Sequence, residues 1–264
     1  MMISFFIVAV SALSVSALTL YSGFGLGTLL MPVFAVFFPV EMAVAATAIV
    51  HGANNIFKIA VVGRHADRSL VIKFGVPAIG ASMVGAAVLG YVSGFGNLAT
   101  YAIGPKTAVI TPVKLVMAAL MFVFALFELV PSLRDLRFDR KYLFLGGALS
   151  GFFGGVSGHQ GALRSAFLVK VGVSTEAFVG TNAVIGFMVD MARIMVYGFI
   201  FFLTPAAKVL EAGNWLLVVI GIVAAFIGVM AGKRFLHKIT MQTVQALTGI
   251  LLIGIAVALG AGIL

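Results

Sequence analysis

The sequence predicts an all-α polytopic membrane protein made of two inverted-topology repeats, each a glycine-broken helical hairpin plus three spanning helices. Three observations carry this. The 264 residues are 62% hydrophobic and 9% charged, whereas soluble globular chains carry about 25% charged residues. Mean hydropathy is +1.20. Several apolar runs have the ~20 residues needed to cross a hydrocarbon core. Two glycine-rich interruptions, "SGFGLG" from Ser22 and "SGHQGALRS" from Ser157, break the apolar pattern at corresponding places 135 residues apart.

The N-terminal "MMISFFIVAVSALSVSALTLYSG" lacks the basic start of a signal peptide and reads as the first membrane segment. Further apolar runs occupy residues 40–62, 70–93, 110–131, 174–203, 215–232 and 242–264, each long enough to span. Residues 142–156 and 162–172, around the second break, make helices of only ~22 and ~16 Å at about 1.5 Å per residue, too short for a core of about 30 Å. They predict a hairpin that enters and leaves on one side, and residues 3–38 predict its counterpart.

The basic clusters "RHADR" from Arg64, "RDLRFDRK" from Arg134 and "KRFLHK" from Lys233 then fall on one side, which the positive-inside rule makes cytoplasmic. Of the 17 Lys and Arg, 11 lie on that side, 3 (Lys106, Lys114, Lys208) lie opposite, and 3 (Lys58, Arg164, Arg193) are left at membrane depth. Both termini are expected to be non-cytoplasmic. The net charge of +9 is accounted for by these loops, so no nucleic-acid partner is expected. The absence of cysteine excludes disulfides and thiolate metal sites.

An ungapped offset of 135 aligns residues 1–135 with 136–264 as two halves of one integral membrane domain. Ser22-Gly23 meets Ser157-Gly158, Glu41 meets Glu176, Asn55 meets Asp190 and Lys58 meets Arg193. Internal similarity with opposite orientation is the pattern of inverted-repeat transporters. Non-helical backbone at membrane depth is tolerated only where protein or a water-filled cavity covers it. Two breaks entering from opposite faces would meet near the midplane, where amides at helix N-termini bind anions.

These features define the expected site. Ser157, Gly158, His159, Gln160 and Arg164 form one wall of the substrate site, opposed by Ser22 and the backbone of Gly23, Gly25 and Gly27. Arg164 supplies a planar cationic fork suited to an oxyanion; if the hairpin is shallow, it is instead an interfacial arginine. The helix after the first break carries Thr47, His51, Asn54, Asn55 and Lys58 on one face, and the matching helix carries Asn182, Asp190 and Arg193, with Gly186 on the same stripe. Polar stripes in membrane spans face the bundle interior or an aqueous path, or they bond helices together. Asn54 fits the bonding role best. Asp190 lies three residues before Arg193, within reach of a same-face ion pair, and is the residue placed to carry a coupling proton. No metal site is expected, because the histidines lack clustered spacing. No cofactor is expected, and no nucleotide motif is present.

The stretches "YSGFGLGTLLMP" with "EMAVAATA", and "GFFGGVSGHQGALRS" with "EAFVGTNA", resemble the paired glycine-rich motifs of the sulfite exporter TauE/SafE family across essentially the whole chain. The resemblance implies transport of small sulfur-containing or organic anions, sulfite and sulfonates among them. The expected function is a secondary transporter working by alternating access around a midplane site, with the lipid bilayer, a small anionic substrate and a coupling proton or ion as partners. The alternative is a passive anion channel with the same cationic lining. An enzyme is not expected, since no nucleophile–base pair, paired carboxylates or metal cluster stands at a recognisable spacing.

Overall fold

Helix follows helix in the computed structural model, which describes residues 2–19, 25–202, 215–235 and 241–264. The helices are α1 (Met2–Leu18), α2 (Leu26–Ala35), α3 (Val40–Val62), α4 (Arg68–Ser93), α5 (Pro112–Leu129), α6 (Pro131–Arg134), α7 (Leu143–Ser157), α8 (Gly161–Leu168), α9 (Thr175–Phe202), α10 (Trp215–Phe235) and α11 (Met241–Gly260). By length and composition, α4, α5, the α3 segment through His65, and the described parts of α9 and α10 are long and apolar enough to cross a membrane. Many large apolar side chains point outward, including Phe6, Phe144 and Phe199 at 70–71% exposure. A surface this apolar suits lipid rather than water.

Local chemistry sets the helix starts. Asp67 caps α4 by accepting from Leu70 N at 3.0 Å, and Thr111 caps α5 by accepting from Lys114 N at 3.3 Å, with Pro112 in the first turn. A π-helical turn at Val71–Gly75 lies just before Pro77, whose missing N–H breaks the regular ladder there.

Contacts between helices fix their directions. In α7, Gly147, Gly151 and Gly155 lie against the Phe74, Ala78 and Ser82 carbonyls of α4, so the two helices run parallel. A Cβ on any of the three would overlap that backbone, which explains the small-residue spacing. The other end of the hairpin returns: Gly146 of α7 abuts the Phe167 ring of α8, and Phe167 stacks on Phe138 at 4.3 Å. The α7–α8 pair therefore enters and leaves at the end carrying Arg64, Arg68 and Arg134.

The first hairpin is held similarly. Val8 of α1 and Phe34 of α2 both lie against Gly221 of α10. Ser16 Oγ donates to Asn54 Oδ1 (3.0 Å) and to Ala225 O (2.8 Å), joining α1, α3 and α10. Asn54 thus bonds helices together, as its place on the stripe suggested. Two antiparallel contacts complete the bundle: α3 on α9, where Gly52 meets Asp190 and Gly180 meets Val62, and α5 on α11, where Gly249 meets Leu129 and Gly260 meets Ala118.

One element departs from the sequence expectation. The run expected to span from residue 110 begins as a helix only at Pro112, and a hairpin precedes it, the exposed β1 (Ala99–Ile103) paired antiparallel with the partly buried β2 (Lys106–Ile110). Its two-residue loop is Gly104-Pro105. Gly104 has φ +57°, and proline holds φ negative at the next position, the combination of a type II′ turn. The chain end docks here, with Val109 N donating to Gly262 O at 3.0 Å.

Candidate functional site

Both hairpin breaks occur at glycines with left-handed backbone, Gly25 at φ +110° and Gly158 at φ +81°, a conformation that disfavours any residue with a Cβ. After each break a new helix starts, α2 at Leu26 and α8 at Gly161, and first-turn amides have no acceptor within their own helix. The breaks come together: a Cβ built on Gly27 would lie 3.4 Å from Gly158 O and 3.8 Å from the His51 ring. Ser22 and Gly23 lie outside the described residues.

The two central helices meet at the same place, near the middle of α3 and of α9. His51 Nδ1, in the tautomer that carries its proton there, donates to Asp190 Oδ2 at 2.6 Å. Asn55 Nδ2 donates to the same oxygen at 3.1 Å. Asp190 Oδ1 accepts from Arg193 Nη2 (2.7 Å) and Nε (3.1 Å), and from Gln160 Nε2 (3.2 Å). The same-face Asp190–Arg193 pair is therefore formed. Four side chains converge on this carboxylate, which is itself fully buried. That arrangement suits a fixed ion pair with satisfied lone pairs.

Arg164 stands differently. It is 1% exposed, donates through Nε to Asn182 Oδ1 at 2.6 Å and through Nη1 to Gln160 Oε1 at 3.2 Å. Both partners are neutral amide oxygens, and among the described residues no carboxylate lies within ion-pair distance of it. Gly186 leaves room beside it, since a Cβ there would stand 3.3 Å from Arg164 Nη1 and 2.7 Å from Asn55 Nδ2. Lys58, also buried, donates one long bond of 3.4 Å to Thr19 O. Among the described residues, the buried basic side chains around the breaks, Lys58, Arg164 and Arg193, outnumber the one carboxylate among them, Asp190; the other buried carboxylate, Glu128, lies near the end of α5. Buried charge without a counter-charge is costly, so this is an environment that favours an anion.

The remaining expected residues are placed as follows. Thr47 turns back on its own helix, donating to Ala43 O at 2.7 Å. Ser157 does the same to Phe153 O at 2.9 Å. His159 stacks on Phe124 of α5 with centroids 5.3 Å apart, and its ring nitrogens bond to no side chain among the described residues. The structure therefore brings Gly27, His51, Asn55, Gly158, Gln160, Arg164, Asn182, Asp190 and Arg193 into one network, with Ser157, His159 and Thr47 beside it but not bonded into it. Sequence reasoning missed two supports. Arg193 Nη1 donates to Gly154 O at 3.0 Å, and the Tyr197 hydroxyl donates to Gly155 O. Both tie α9 to the last turn of α7. Arg193 at the end of a same-face stripe and the glycine pair at 154–155 were visible, but not their pairing across 39 residues.

Against known proteins, the sequence matches the family model described as sulfite exporter TauE/SafE over residues 6–259. The chain belongs to this family. No curated protein and no solved structure matches it. Membership makes this TauE/SafE protein a membrane transporter of the sulfite and small-anion type, in agreement with its apolar helices and central positive charge. Both glycine-rich breaks and both polar helices fall inside the matched residues.

Proposed function

We propose that the protein is a secondary transporter that moves a small oxyanion of the sulfite or sulfonate class by alternating access, with its substrate bound between the two hairpin breaks. The observation that carries this reading is the buried surplus of positive charge, above all Arg164, whose partners among the described residues are neutral. The anion would complete what the protein leaves uncompensated: the Arg164 fork on one side and the first-turn amides of α2 and α8 on the other. Ser22, Ser157 and His159 are the polar groups at the breaks that complete the shell in this reading, and the stripe from Thr47 to Lys58, with Asn182, Asp190 and Arg193, lines the path.

An inverted relation between residues 1–135 and 136–264 is part of the proposal. Exchanged packing supports it: α1 packs on α10 as α7 packs on α4, while α3 pairs with α9 and α5 with α11, the corresponding helices of each half. Two gates of like construction then work from opposite faces of one site. With the basic end cytoplasmic, both termini face the other side. A reporter active only in the cytoplasm, fused to either end, is expected to be silent, and activity at either end would overturn this orientation.

Purified protein should show the binding directly. A ligand that binds only the folded state stabilises it by about 2.7 kcal/mol at a hundred times its dissociation constant. In a panel of sulfite, sulfate, thiosulfate, sulfonates and carboxylates, at least one anion should raise the unfolding temperature beyond a chloride control of equal ionic strength. Equal response to every salt would contradict the proposal.

A further inference from the structure

The described residues contain two buried carboxylates within the bundle, Asp190 and Glu128. Asp190 is matched to Arg193. Glu128, 3% exposed, is near the end of α5 and has no ion pair among the described residues. Gln245 of α11 hydrogen-bonds to it, yet its Oε2 has no partner. Glu128 is one of the residues lining a cavity of about 130 Å³ between α5, α6, α8, α9 and α11, at the basic end of the bundle. Ser165 lines the same cavity, is 8% exposed, and its Oγ also has no partner among the described residues. The other charged groups there are Arg134, Asp135 and Arg137. Arg134 is engaged with Asp135 at 3.7 Å, and Arg137 with the carbonyls of Arg134 and Leu136. From α9 the lining is the Phe178 ring.

We propose that Glu128 and Ser165, beside Gln245, form the site of the coupling ion, a small monovalent cation (a proton or Na⁺). The inference rests on the transport reading above and names what drives it. A buried carboxylate oxygen and a hydroxyl, both unsatisfied among the described residues and both carried by residues that line one small cavity, are hard oxygen donors awaiting a positive partner. The position links ion to substrate. Ser165 and Arg164 are neighbours on the eight-residue α8, so a cation held by Ser165 on one face bears on the helix that presents Arg164 on another. Phe124, one turn before Glu128 on α5, stacks on His159 at the break itself. Both connections give occupancy of the cavity a mechanical route to the hairpin. Asp190, which the sequence suggested for this role, is already held by four side chains.

The test uses the full-length protein in proteoliposomes with labelled sulfite as the probe. Wild type should accumulate sulfite when an inward gradient of H⁺ or of Na⁺ is imposed, and the effective gradient identifies the cation. Glu128→Gln should lose that accumulation by about tenfold or more, within the usual range of coupling factors. It should still exchange internal for external sulfite, which also reports that it is folded. Ser165→Ala, which removes one oxygen, should need a several-fold higher concentration of the driving cation. Retained accumulation in Glu128→Gln, loss of exchange together with accumulation, or an unshifted cation dependence in Ser165→Ala would each overturn the assignment. A wild type that exchanges but responds to neither gradient would also overturn it, while a wild type that exchanges none of the anions would instead overturn the transport reading on which it rests.

Discussion

Arg164→Ala is expected to weaken anion binding by roughly tenfold to a hundredfold, the loss expected when one hydrogen bond of about 1.5–3 kcal/mol to a charged group is removed. The guanidinium is buried and its partners among the described residues, Asn182 and Gln160, are neutral, so in the proposed transport reading the substrate supplies the counter-charge. Arg164→Lys keeps the charge but not the planar fork, and should recover affinity only partly. Affinity is read on folded, correctly inserted protein by ligand-dependent thermal stabilisation. Unchanged affinity in Arg164→Ala would move the site away from the second hairpin and leave Lys58 and Arg193 as the deep cations.

Asp190→Asn should act on stability more than on affinity. Removing one member of a buried pair typically costs about 3–5 kcal/mol, because the other charge stays behind without compensation. Here the group left behind is Arg193, fully buried, and His51 loses its 2.6 Å partner as well. A marked fall in unfolding temperature in detergent is the expected result. Neutralising both partners, Asp190→Asn with Arg193→Met, should be less damaging than Asp190→Asn alone, since the stranded charge is then gone. A single variant as stable as wild type would mean that the pair carries no structural weight.

Much of the architecture was legible because membrane helices are written in long apolar runs. Expected spans such as 40–62 and 174–203 agree with α3 and α9 to within a residue. The second hairpin was legible from arithmetic, since two helices too short to span must turn back. The β1–β2 hairpin was not, because its signal is only a few β-branched and aromatic residues around a Gly-Pro turn inside a loop. In the site, Asp190–Arg193 could be read from a spacing of three on one helix face. The contact of His51 and Asn55 with Asp190 could not be read, because an alignment of two halves does not say that equivalent positions touch. They do so because α3 and α9 pack together there, Gly52 against Asp190. Glu128 was invisible for a similar reason. A glutamate at the end of an apolar run, just before Leu-Val-Pro-Ser, reads as an interfacial residue, and only the packing of α8 and α11 buries it. His159 was legible as polar and near the break, but its direction, onto Phe124, is set by α5.

In the proposed mechanism the chain carries a small anion across the membrane by alternating exposure of one saturable site. Counterflow tests it most directly: proteoliposomes loaded with excess unlabelled sulfite, diluted into a trace of labelled sulfite, with no ion gradient imposed. The expected result is a transient inward overshoot of label, saturating with concentration, competed by sulfonates, and shifted to higher concentration by Arg164→Lys. Flux that rises linearly with concentration and shows no overshoot would describe a pore, and would contradict it.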